Sequence, residues 1–85
     1  MPENTAPTTV DLPVDLNSED DTGLPWGFLD ESQSPSKITE GAWIIVGSSR
    51  TQAVAQVVDI SDGIVHVRPL PGSVASHRSL LRSMA

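Results

Sequence analysis

Residues 51–68, TQAVAQVVDISDGIVHVR, set two apolar runs on either side of Asp62-Gly63. Asp-Gly between such runs marks a two-residue hairpin turn with positive φ at both positions, a conformation that glycine adopts freely and aspartate tolerates. The flanking runs, Thr51 to Ile60 and Ile64 to Arg68, are rich in β-branched residues and read as antiparallel strands. Upstream, Ala42-Trp43-Ile44-Ile45-Val46 is a third short apolar run bounded by Gly41 and Gly47, and Gly47-Ser48-Ser49-Arg50 reads as the loop that joins it to the second. Pro69 and Pro71 end the last strand, because proline has no N–H to give to a ladder.

Pairing outward from Asp62-Gly63 sets Ile60 opposite Val65, Asp59 opposite His66 and Val58 opposite Val67. Pairing outward from the other loop sets Ile45 opposite Gln52 and Trp43 opposite Val54. One face then holds Trp43, Ile45, Val54, Val58, Ile60, Val65 and Val67, with Trp43 expected in the core; the other holds Ile44, Val46, Ala53, Ala55 and Val57. A β-bulge near Val58 would move the register by one residue and exchange part of the two faces. In either case both faces are partly apolar and each needs a cover. Gly72-Ser73 followed by Val74, His77, Leu81 and Met84 at helical spacing predicts an amphipathic C-terminal helix that covers one face. The other cover is expected from the segment around Trp26 or from a second copy of the chain.

Charge divides the chain of 85 residues. The first 36 carry eight acidic residues and no Lys or Arg, while the remainder carries five basic against three acidic residues. Residues 1–23 are rich in Pro, Thr, Asn and Asp, a composition too poor in apolar surface to offset the entropy of ordering, so an acidic, disordered arm is expected. The alternation Val10, Leu12, Val14, Leu16 is the competing sign, and Pro13 restricts any strand there to a sheet edge. The expected organisation is an arm at 1–23, an aromatic docking segment and linker at 24–37, and a small β domain with its helix at 38–85. A core built on so few residues is marginal, and the absence of cysteine removes disulfides and thiolate metal sites as supports. Self-association as a homodimer, a partner protein, or the arm itself are the supports that remain. With no secretory pattern and no apolar run of membrane length, a cytoplasmic protein without membrane contact is expected.

Leu24-Pro25-Trp26-Gly27-Phe28-Leu29 holds two of the three aromatic residues. It reads either as a missing piece of the domain's own core or as a short recognition motif flanked by Asp20, Asp21, Asp30 and Glu31. The protein-binding candidates are therefore Trp26, Phe28, Leu29, Asp20 and Asp21. His66, Arg68, Arg78 and Arg82 form a candidate basic patch that would receive the arm or an acidic partner. No catalytic, cofactor or metal site is expected. His66 and His77 are the two histidines, and only Asp59, across the hairpin from His66, supplies a nearby second ligand where zinc takes three or four. The glycines sit at turn positions rather than in a phosphate loop.

Ile38 to Gly72, with Gly41 opening a strand, the run Ala53-Val54-Ala55-Gln56-Val57-Val58-Asp59-Ile60, the Asp62-Gly63 turn and Val65-His66-Val67, resembles part of a small SH3-like barrel of the KOW or Tudor type. The span from Asp21 to Gly72, through Leu24-Pro25-Trp26 and Leu70-Pro71-Gly72, also resembles small uncharacterised proteins of actinobacteria. The SH3-like resemblance implies a binding module rather than an enzyme. The expected fold is mainly β, a small antiparallel sheet or barrel of three to five strands with a C-terminal helix. The expected function is a protein-protein interaction module or adaptor. The competing expectation is a nucleic-acid-associated domain masked by its acidic arm, disfavoured by a net charge of −6.

Overall fold

Asp62 and Gly63 take φ of 54° and 79°, and the tight turn they make is the centre of the fold. The computed structural model describes residues 10–17, 21–48 and 50–82. Its strands are β1 (Leu12–Pro13), β2 (Trp26–Phe28), β3 (Trp43–Gly47), β4 (Gln52–Ser61) and β5 (Ile64–Pro69), followed by a 3₁₀ turn at Ala75–His77 and a short helix α1 (Arg78–Arg82). They form a five-stranded sheet in the order β1-β3-β4-β5-β2 that curls into a nearly closed, barrel-like shape. The sheet is mixed: β1 runs parallel to β3, and the other pairs are antiparallel, which corrects the expectation of a wholly antiparallel sheet.

Beside the turn the register is the expected one, with Ser61 opposite Ile64, Ile60 opposite Val65 and Asp59 opposite His66. It then slips at Val58, so that Val57, not Val58, lies opposite Val67. The slipped residue stands out of the sheet, leaving Val58 36% exposed. This bulge carries the alternation of β4 across from one face to the other. Ala55 and Val57 therefore join Val65 and Val67 on the inner face, with Ile44 and Val46. The expected grouping of Val65 and Val67 with Trp43, Ile45 and Val54 is thereby corrected. At the other end, Gly47 pairs with Gln52, Ile45 with Val54 and Trp43 with Gln56, two residues from the expected register. A two-residue offset keeps each side chain on its face. The displacement follows from a turn set one residue further along the chain, closed by the Ser48 N–H donating to the Thr51 carbonyl at 2.8 Å, with the Ser48 hydroxyl accepting the Arg50 and Thr51 amides.

The cover of the inner face comes from the acidic segment. Leu12 and Val14 are buried against Ile44, Val46 and Val65, together with Ile38 and Ala42. Residues 10–17 thus belong to the folded domain, and the expected boundary at residue 23 does not separate them from it; residues 1–9 and 18–20 lie outside the described residues. Pro13 sits on the sheet edge, where its missing N–H costs no ladder bond, while the Asp11 and Val14 amides donate to the carbonyls of Ile45 and Gly47. Alternation has prevailed over composition, because the leucine and valine side chains fill the inner face of the sheet.

The outer face of β3 and β4 carries a second cluster of Ile45, Val54 and the half-buried Trp43. Val74 and Leu81 cover it, as the helical spacing predicts, while Ala75, Ser76, Arg78 and Ser79 are exposed. The Ser73 hydroxyl accepts the Ser76 amide at 3.2 Å, and a His77 ring nitrogen lies 2.7 Å from the Pro71 carbonyl. Trp43 is therefore the rim of a satellite cluster and not the centre of the main core. Met84 lies outside the described residues.

Candidate docking face around Trp26 and Phe28

β2 closes the sheet on its far side. Trp26 pairs with His66, Gly27 with Val65 and Phe28 with Ile64, and the strand is framed by the Val67 amide on the Pro25 carbonyl at 3.1 Å and the Leu29 amide on the Gly63 carbonyl at 2.8 Å. Gly27 faces inward at the point where the two edge strands meet. A Cβ there would lie 2.5 Å from the Pro13 carbonyl oxygen and 3.1 Å from a Val14 methyl, so this position takes no side chain. The two edges approach this closely because residue 27 is glycine.

Alternation then turns Trp26 and Phe28 away from the barrel interior. Their rings meet edge to face, with centroids 5.2 Å apart and planes at 89°, the arrangement the aromatic quadrupole favours. Trp26 is half-buried and Phe28 is 46% exposed. Leu29 goes the other way and packs against the main core. The aromatic segment is thus built into the sheet as its fifth strand and adds Leu29 to the cover of the face centred on Ile44 and Val57, while Trp26 and Phe28 take no part in that cluster and Leu12 and Val14 supply its buried side chains.

Two open grooves flank Phe28. One, of about 490 Å³, runs over the seam between β1 and β2, with Pro13, Val14, Trp26 and Phe28 along it and Asp15 and Glu31 at its sides. The other, of about 420 Å³, lies between Phe28, Leu29 and Pro35 and reaches Asp30 and the Asp62-Gly63 turn. Asp30 and Glu31 stand in a single 3₁₀ turn directly after β2, and each lines a different one of the two grooves. Their place next to Phe28 was readable from sequence adjacency; that of Asp15 and Asp62 was not, since both arrive through tertiary pairing.

Among the other candidates, Asp21 is exposed in the turn before β2, and Asp20 lies outside the described residues. His66 stands two residues from Arg68 on the outer side of β5, with its Nδ1 3.7 Å from Asp59 Oδ2, which gives the expected cross-strand pair. Arg68 and Arg78 are exposed, on β5 and at the start of α1, and the Arg82 side chain lies outside the described residues. Among the described residues no three His, Asp or Glu side chains gather as a metal would require, and no helix is long and apolar enough to cross a membrane. No protein-family model, curated protein or solved structure matches the chain.

Proposed function

We propose that this protein is a non-enzymatic protein-interaction module, SH3-like in kind, whose contact surface is the Trp26–Phe28 face. The observation that carries this reading is Phe28 itself, 46% exposed, propped on Trp26 and bordered by a groove on each side. An exposed apolar patch that joins Phe28 to Trp26 and to the apolar lining of both grooves marks a contact surface, and aromatic anchors dominate the energetics of protein interfaces. The Asp11 pairing and the buried Leu12 and Val14 hold β1 in place, so that the seam groove is bounded by fixed backbone on both sides.

The test is affinity capture with the full chain and its Phe28→Ala variant, each checked for folding by circular dichroism. The reading expects a specific partner protein that the variant loses by about 30-fold or more, the scale of an interface hot spot. Undiminished capture by a folded variant would contradict it.

A further inference from the structure

Each groove beside Phe28 carries a pair of carboxylates, Asp15 and Glu31 on the seam and Asp30 and Asp62 on the other side. All four residues are exposed, and among the described residues neither groove is lined by Lys or Arg. Lys37, two positions beyond Pro35 in the second groove, is directed to Asp11 at 3.1 Å. An apolar floor with a rim of one sign selects its occupant by charge. A nucleic acid or an acidic peptide would bring its charge against like charge here.

Resting on the reading of Phe28 as a docking anchor, we propose that the two grooves receive a cationic peptide segment of a partner protein. An apolar side chain of that segment packs against Phe28, and Lys or Arg residues before and after it meet Asp15 and Glu31 in one groove and Asp30 and Asp62 in the other. A single solvent-exposed ion pair contributes little, but several carboxylates of one sign beside a low-dielectric surface steer a cationic partner and set its orientation. The interaction weakens with salt, since the rim charges lie within reach of screening ions.

The experiment is an amide-shift titration of the full ¹⁵N-labelled chain with synthetic peptide pools that share a randomised apolar centre and differ in having cationic, neutral or anionic flanks. The cationic pool is expected to shift the amides of Phe28, Asp30, Glu31 and Gly63, and to lose affinity as salt is raised. Asp30→Asn and Glu31→Gln should each weaken it by about two- to five-fold at low salt, as for an exposed ion pair. Phe28→Ala should weaken it by about 30-fold or more. A cationic pool that shifts none of these amides, or a neutral or anionic pool that matches it there, overturns the inference. In the second case binding at Phe28 persists and the module reading stands. Shifts at these amides that follow protein concentration without peptide would assign the grooves to a second copy of the chain and also overturn it. The module reading falls if partner capture survives Phe28→Ala, which this titration does not touch.

Discussion

Asp11 and Ile45 are joined by a double hydrogen bond: the Asp11 amide donates to the Ile45 carbonyl at 2.8 Å, and the Asp11 carboxylate accepts the Ile45 amide at 2.9 Å. The side chain thus extends the β1–β3 ladder where the backbone of the short strand runs out. The other carboxylate oxygen faces Lys37 Nζ at 3.1 Å, and the Ser32 hydroxyl donates to the Asp11 carbonyl at 2.7 Å, so one residue pins the acidic segment at three points.

Asp11→Ala is therefore expected to destabilise the fold by about 1–3 kcal/mol, the range for leaving a shielded amide without its acceptor. Asp11→Asn keeps an acceptor oxygen and loses only the partly exposed ion pair, so it should recover most of that difference. Urea denaturation of the two variants reads both values, and equal losses would show that the charge, not the amide, is what matters.

Leu12→Ala tests the placement of the acidic segment in the core. Leu12 is fully buried, so the substitution should cost about 2–5 kcal/mol. A melt like that of the wild type would return residues 10–17 to the unfolded arm that their composition suggests.

The bulge in β4 gives a pair of neighbours with opposite outcomes. Val58→Lys should change stability by no more than about 0.5 kcal/mol, as at an ordinary surface site. Val57, 1% exposed, should not tolerate the same change, because an unpaired charge would be buried in the main core. Thermal denaturation distinguishes this from the unbulged register, in which Val58 is the core residue.

Gly27→Ala should destabilise by about 1–3 kcal/mol, as overpacking does, because the new methyl meets the Pro13 carbonyl oxygen at 2.5 Å. A neutral effect on the melting temperature would mean that the two edges of the sheet stand further apart.

What the chain discloses in its sequence is mostly local. The Asp62-Gly63 turn, the three strands around it and the Val74 and Leu81 stripe follow from turn chemistry and periodicity within a few residues, and the structure has them. The bulge near Val58 was legible as a possibility, and the structure has it there; whether it forms was not legible, since Val57 and Val58 are identical in kind and only the distant partner Val67 decides between them. β1 was obscured because a strand of two residues, Leu12 and Pro13, pairs with a strand more than thirty positions away, while its neighbours carry the charge and prolines of an unfolded segment. The same holds for the docking face. Trp26 and Phe28 stand out in the sequence, but the groove beside them exists only because Gly27 lets Pro13 approach.

Phe28 is expected to be surplus to the fold, with Trp26 supporting it. Equilibrium urea unfolding of Phe28→Ala measures this directly. The expected loss is at most about 1.5 kcal/mol, the worth of an edge-to-face aromatic contact, with an unchanged denaturant slope. A loss of about 3–5 kcal/mol, the cost of removing a core phenylalanine, would show the ring to be part of the protein's own core and would contradict its role as an exposed anchor.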